Sequence, residues 1–381
     1  MGEVLIGIFN IAVLASLALA ALSILIVVHE LGHYIAARLC GVWVEEFGIG
    51  IPPKVWGKKI GETLYSINAL PIGGFVRLHG ESVDNKVIYP ERSFLNKSAL
   101  QRIFITLSGV LMNFVLAFVL FFVILWFTGV EVYGVRVGEV AVGSPSESAG
   151  LVEGDGISKI NGEVFYDVGR FIDIVNEQKG QEIELEVIRG GEDMVIKVVP
   201  RENPPEGEGS LGVSISFDRL KSEHPPFIMR PLVYISKAYE RTVTISVLTV
   251  QGFASLFQEV KEQGQVPKSI VGPIGIVAFL ADIIGNIRRI GFLPLLDVLA
   301  VISVNLGLLN ILPISPLDGG RALFAALGSV FGKKRLPQIE EKLNLLGFGL
   351  LLILVIFLTA RELPAAFSSS SLSNFVDSIL Q

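Results

Sequence analysis

Twenty-eight consecutive residues without a charge, Ile103 to Val130, bounded by Arg102 and Glu131, constrain this chain more than any other feature. At ~1.5 Å per residue a helix of that length exceeds a hydrocarbon core of ~30 Å, and backbone in lipid must satisfy its own hydrogen bonds, so the run reads as a membrane-spanning helix. Three further uncharged runs follow the same logic: Val4 to Val28 with 25 residues, Val298 to Leu317 with 20, and Leu343 to Ala360 with 18. Charged residues make up only 18% of the chain and mean hydropathy is +0.61, against a charged share of ~25% in soluble domains. The expectation is a multi-pass α-helical membrane protein with four transmembrane helices. The first run reads as a retained helix and not a secretory signal peptide, because Glu3 stands where a basic region belongs and the run leads into a polar motif at His29.

Charge and cysteine usage exclude several classes. Lys+Arg number 31 against Asp+Glu 37, a net −6 without the basic stripe a nucleic-acid binder needs. The single cysteine, Cys40, rules out an intramolecular disulfide and any cysteine-built metal site, leaving His and carboxylates as metal donors. Basic residues set orientation: Arg38, Lys97, Arg102, Arg321, Lys333, Lys334 and Arg335 mark their loops as cytoplasmic, so Glu131 to about Gly291 faces outward. Thr242 to Val260 carries Thr, Ser and Gln among its apolar residues, and Lys237, Glu240 and Arg241 precede it, which reads as an amphipathic helix on the membrane surface.

His29-Glu30-Leu31-Gly32-His33 is the motif HExxH. On a helix, positions i and i+4 share a face, so both imidazoles reach one Zn²⁺ while Glu30 stands beside it as general base. Three ionisable residues in an otherwise apolar helix are costly and so functional by default. A catalytic zinc needs a third protein ligand and an open position, and the candidates are Asp297, Asp318, His79 and His224. His29 follows 25 apolar residues of one helix and Asp318 follows 20 of another, so parallel helices bring the two to one depth, whereas Asp297 lies at the wrong end. A crossing by Thr242 to Val260 would by itself put Asp318 in the opposite leaflet, which argues against a fifth span. Pro313, Pro316, Gly319 and Gly320 break the helix around Asp318, as chain lining a wet cavity tolerates. Asn305 and Asn310 could hydrogen-bond a substrate backbone or a developing oxyanion.

HELGH in the first membrane helix and the run from Asn310 to Leu317-Asp318-Gly319-Gly320 resemble the site-2 protease family of intramembrane zinc metalloproteases, in particular its bacterial RseP-like branch. Pro71 to Arg77, Ser108 to Asn113 and Gly272-Pro273-Ile274 are similar to further family segments, so the likeness covers nearly the whole chain. It implies that His29, His33 and Asp318 ligate Zn²⁺, that Glu30 is the base, and that Asn305 and Asn310 contact substrate. It also implies a bacterial cytoplasmic membrane and single-pass transmembrane substrates such as clipped anti-sigma factors or remnant signal peptides. Ser315 stands where the family commonly has the second proline of Pro-x-Pro, and Pro316 follows it. Gly143-Ser-Pro145 to Leu151, then Gly154-Asp155 and Ile160-Asn161-Gly162, look like the PDZ domains of bacterial proteases, one copy and extracytoplasmic.

The expected organisation is therefore a first transmembrane helix with HExxH over 1–40, a cytoplasmic β-rich hairpin or sheet loop over 41–101, a second helix over 102–130 and an α+β PDZ domain over 131–202. A linker and surface helix over 203–291, a third membrane segment with Asp318 over 292–325, a cytoplasmic loop over 326–342, a fourth helix over 343–361 and a tail over 362–381 complete it. The glycine-punctuated 41–81 stretch is expected to offer a strand edge to an unwound substrate. Rival readings are an inactive PDZ-bearing scaffold, which the complete ligand set opposes, and a zinc transporter, which would need polar residues along a continuous path through the spans.

Overall fold

The computed structural model describes residues 2–81, 87–165, 167–205, 207–264, 270–331 and 336–368, together with Asn374 and Val376. Lys333, Lys334 and Arg335, used above for orientation, lie outside the described residues. The chain divides into two compact units, Met1–Ile124 with Ala238–Gln381, and Leu125–Lys237.

The first unit combines helices with one β ribbon. Its long elements are α1 (Gly2–Leu39), α2 (Ala99–Thr128), α5 (Arg230–Gln263), α8 (Leu293–Ile311) and α10 (Leu336–Ser368). Among the described residues five helices are long and apolar enough to cross a membrane: Phe9–Leu39, Ala99–Thr128, Arg230–Glu262, Leu293–Ile311 and Gln338–Ala365. Between α5 and α8 lie the shorter apolar α6 (Pro273–Gly285) and the single turn α7 (Ile287–Ile290), and α9 (Asp318–Phe331) follows α8.

The surface placement expected for Thr242 to Val260 does not match this packing. Arg241 pairs with Asp297 at 2.8 Å and Thr249 donates to Asn305 at 2.7 Å, an offset of eight residues on both helices, so α5 runs parallel beside α8. Parity survives because α6 returns: its apolar face joins Leu14, Ala18 and Leu22 of α1, with Gly285 against Leu14, so it runs antiparallel to α1. Thirteen residues give α6 about 20 Å, short of a full span, which is why a count of long apolar runs passes over it. The carboxylate of Glu362 on α10 accepts from the N–H groups of Gly272 and Gly275 at 2.6 and 3.1 Å, answering the free donors at the start of α6.

Two long arms, β1 (Val44–Ile60) and β2 (Thr63–Leu78), make the β-rich segment. Each arm is bent. Glu46 pairs with both Leu64 and Arg77, and Gly48 with both Ser66 and Phe75, while Trp56 pairs with Ile67 and Lys58 with Tyr65. The ribbon thus folds into four short strands, with 44–50 and 63–68 inside and 74–78 on one edge. Pro52 and Pro53 in one arm, and Pro71 with Gly73 at φ +76° in the other, interrupt the ladder where the arms bend.

The second unit holds a sheet in the order β7-β6-β4-β3-β8, from β3 (Val130–Val140), β4 (Gly156–Ile160), β6 (Ile183–Arg189), β7 (Glu192–Val198) and β8 (Val213–Glu223). The two-residue β5 (Glu163–Val164) pairs with β4, and α3 (Pro145–Ser148) and α4 (Val168–Glu177) complete the unit. Asn161 and Gly162 at φ 50° and 77°, and Gly190 and Gly191 at 60° and 92°, supply the left-handed pairs of its two-residue hairpins. A buried core of Val135, Ile157, Ile160, Phe171, Leu185 and their neighbours fills it. The unit outruns the expected 131–202 boundary: β8 pairs with β3 from Val130↔Glu223 to Val140↔Val213, so Glu202 to Gly209 is a connection inside the domain and not an exit linker.

Within this sheet Asp155 is buried, and its carboxylate receives Arg189 twice at 2.7 Å and the Val152 N–H at 2.9 Å. Burial pushes the carboxyl up, but these donors outweigh it and hold it below the ordinary carboxylate range. A carboxyl depressed in the folded state adds stability above its unfolded pKa of ~3.9, and that stability is lost as pH falls through the folded value. Hydrogen exchange of β4 and β6 amides in the full chain, corrected for intrinsic rate, should show protection level near neutrality and falling below about pH 4. Asp155→Asn should lower protection at pH 7 and flatten that fall.

Candidate metal centre

His29 and His33 stack one turn apart on α1, and α2 crosses that face antiparallel to it, with the Ile105 carbonyl 2.9 Å from His33 Nδ1 and the Asn113 amide 3.0 Å from His29 Nδ1. The crossing is close because it is lined by glycines. A Cβ on Gly32 would sit 2.7 Å from Met112 Cγ and closer still to the Ser108 carbonyl. A Cβ on Gly109 would sit 2.7 Å from His29 Nε2 and closer still to His33 Nε2.

Helix α8 docks on α2, Ser303 donating to the Asn113 carbonyl at 2.8 Å, and runs parallel to α1, since Leu295 to Ile302 cluster with Leu14 to Leu22 while Leu306 and Asn310 line one cavity with His29 and His33. It ends at Ile311, and residues 312–317 turn the chain so that Asp318 opens α9. The turn needs its glycines: a Cβ on Gly320 would come within 2.6 Å of Ser315 N, and one on Gly347 of α10 within 2.9 Å of Pro316 Cδ.

Three ligand atoms thereby converge. His29 Nε2 lies 3.1 Å from His33 Nε2 and 2.9 Å from Asp318 Oδ2, and His33 Nε2 lies 3.3 Å from that same oxygen. Among the described residues this is the one group of three or more His, Cys, Asp or Glu side chains with such geometry. Donors ~2.05 Å from a tetrahedral ion stand about 3.3 Å apart, close to the observed triangle. Asp318 Oδ2 is buried and makes no well-formed hydrogen bond despite these neighbours, as befits an oxygen that would meet an ion. Two imidazoles and a carboxylate with a fourth direction open are the donor set of a catalytic zinc. The residues present fit that ion.

The triangle opens into a cavity of about 380 Å³, also lined by Glu30, Phe75, Thr106, Asn310 and Arg321. Gly74 on the edge strand is the close neighbour of Glu30: a Cβ there would lie 3.8 Å from Glu30 Cγ. The two asparagines part company, since Asn310 lines the cavity while Asn305 accepts from Thr249 on α5. Five residues apart on a helix is about 140° of rotation, so the pair cannot share a face. The other candidate ligands are engaged elsewhere: Asp297 with Arg241, His79 with Glu45 and the Tyr89 N–H, and His224 with Tyr234.

Sequence reading missed a charged group at the cavity's end. Glu81 pairs with Arg321 at 2.5 Å, and the guanidiniums of Arg321 and Arg102 lie 5.7 and 5.5 Å from the Phe94 ring. The segment Ser108 to Asn113 stood out by resemblance alone, without a role for Gly109 or Asn113, although the two are spaced i, i+4 in an apolar helix.

Helices of spanning length around a His, His, Asp triad with an adjacent glutamate define a membrane metallopeptidase. The chain belongs to peptidase family M50, whose family profile matches residues 17–354. A Clostridium acetobutylicum relative with a provisional zinc-metalloprotease name is 34% identical over 357 residues, covering 93% of this chain and 97% of its own length. The zinc metalloprotease RasP of Oceanobacillus iheyensis is 28% identical over 429 residues, covering 90% and 97%. Among solved structures, the PDZ domain of an SdrC-like protein from Listeria innocua covers 22% of this chain and 92% of its own, at 26% identity and TM-score 0.20. Zinc is the metal of this family.

Gly109→Ala should drive a methyl group into the ligand triangle. Metal analysis of the purified variant should find zinc content at least about tenfold below wild type, with the protein still inserted in membranes.

Proposed function

We propose that this protein is an intramembrane zinc endopeptidase that cuts peptide bonds within transmembrane segments of membrane-protein substrates. The observation that carries the reading is the convergence of His29, His33 and Asp318 in the cavity that Glu30 lines, on helices long enough to span a bilayer. In this reading the two imidazoles and the Asp318 carboxylate hold the ion, and Glu30 is the catalytic base. Zinc bound there supplies Lewis acidity, making water a better nucleophile at neutral pH and polarising the scissile carbonyl. Glu30 takes the proton from the attacking water and returns it to the leaving amine. Asn310 is suited to hydrogen-bond the substrate backbone or the developing oxyanion.

Peptide groups inside a helix are closed to attack by their own hydrogen bonds, so a substrate must be extended at the site. The 74–77 edge, next to Leu78 whose N–H is taken by Glu81, passes beside Glu30 and could hold the unwound chain by strand addition. In this reading the active site would face the cytoplasmic side of a bacterial membrane and the sheet domain the outside. Single-pass proteins trimmed by an earlier protease, such as clipped anti-sigma factors or remnant signal peptides, are the substrates it would take.

Glu30→Gln should lower cleavage of a reconstituted transmembrane substrate by roughly 10²–10⁴-fold with zinc content unchanged, as removal of a general base requires. Asp318→Asn should lose both cleavage and most of the zinc. Turnover at the wild-type rate in the Glu30 variant would remove the mechanism, and full zinc occupancy without Asp318 would remove the ligand set.

A further inference from the structure

A neutral imidazole has one protonated nitrogen and one with a lone pair, so a histidine that ligates through Nε2 carries its proton on Nδ1 and needs an acceptor there. For His33 that acceptor is the Ile105 carbonyl at 2.9 Å, a main-chain oxygen that can only accept. For His29 the neighbour is the side-chain amide of Asn113, whose Nδ2 lies 3.0 Å from Nδ1. Asn113 is fully buried, and its Oδ1 has no hydrogen-bond partner among the described residues.

With Nδ2 facing a protonated Nδ1, two donors would oppose each other while a buried acceptor next to them goes unused, both unfavourable. Amide oxygen and nitrogen are told apart only by their hydrogen bonds, and a half-turn of the amide exchanges them. That half-turn gives up no other hydrogen bond, because Oδ1 makes none. The Asn113 main chain stays fixed throughout, its carbonyl accepting from Ser303 on α8 at 2.8 Å.

We propose that Asn113 is the positioning residue of the metal centre: its Oδ1 accepts the Nδ1 proton of His29 and so fixes the tautomer and ring plane that present Nε2 to zinc. The inference rests on the reading of His29, His33 and Asp318 as zinc ligands. Both histidines then take their orienting acceptor from α2, eight residues apart, one from the backbone and one from a side chain. Only the second can be changed by substitution.

Two variants of the full-length protein test it, with zinc affinity measured by chelator competition and folding by thermal unfolding of the metal-stripped protein. Asn113→Leu keeps the volume and removes the acceptor, and should weaken zinc binding about 10- to 100-fold. Asn113→Asp keeps acceptor oxygens and removes the amide donor, and should bind zinc within a few-fold of wild type or more tightly. Wild-type affinity in a folded Asn113→Leu, or an equal loss in a folded Asn113→Asp, overturns the proposal, the second by showing that packing or the donor matters. Should the Leu variant not fold, the Asp variant decides alone: affinity kept supports the acceptor role and affinity lost overturns it. Failure of the underlying ligand reading would look different, since Asp318→Asn would then bind zinc as wild type does regardless of residue 113.

Discussion

Helices α1 and α2 can meet along Gly32 and Gly109 because neither residue carries a side chain, and the ligand triangle lies in the space this leaves. In lipid there is no hydrophobic force between two apolar helices, so close approach through small residues is how they hold together. The same contact puts the Ile105 carbonyl and the Asn113 amide within hydrogen-bond reach of the two imidazoles. A wider crossing would leave two half-buried or buried histidines without partners at Nδ1, a cost of order 1–3 kcal/mol for each unsatisfied group. Helix packing and ring orientation are thus one constraint. The third ligand depends on it too, because α8 docks on α2 through the Asn113 carbonyl and delivers Asp318 at the end of its turn.

Delivery also needs the right direction of travel. Helices α1, α5 and α8 run one way and α2 and α6 the other, so Asp318 meets His29 although α5 runs beside α8 from Arg241 to Thr249. The short α6 keeps this parity at 13 residues, its start capped by Glu362 and its face closed on α1. Burying a carboxylate is costly unless donors meet it, and the two N–H groups of a helix start are donors already in need of an acceptor.

How legible this was in the amino-acid sequence varied with the kind of signal. The uncharged runs, HExxH spacing and Asp318 were readable because each rests on a local rule: length against bilayer thickness, i and i+4 on one face, a carboxylate at matching depth. The packing of α5 on α8 was not, since its polar residues suggest a water-facing side when in fact Arg241 and Thr249 face Asp297 and Asn305. Partner side chains on a helix 56 residues away leave no trace in a hydropathy pattern. Strand β8 was hidden differently: Val213, Ile215 and Phe217 alternate as a strand should, but the Pro- and Gly-containing stretch before them reads as a domain exit. The different placements of Asn305 and Asn310 follow from the five residues of helix between them, which turn one towards Thr249 and the other into the cavity.

The bent ribbon β1–β2 completes the logic of the site. Hydrolysis within a membrane needs water, an ion and an extended peptide at one point, and each is expensive in lipid. On the proposed reading, a strand edge beside Glu30 would lower the cost of extension, because backbone groups released from a substrate helix would find partners on that edge instead of facing hydrocarbon. That edge needs no particular substrate side chain, as main-chain hydrogen bonding is common to every sequence. On the proposed reading, selectivity would follow how readily a transmembrane helix unwinds, so glycine, proline or β-branched residues near the cut, which weaken helices, would matter more than any one side chain fitted to a pocket.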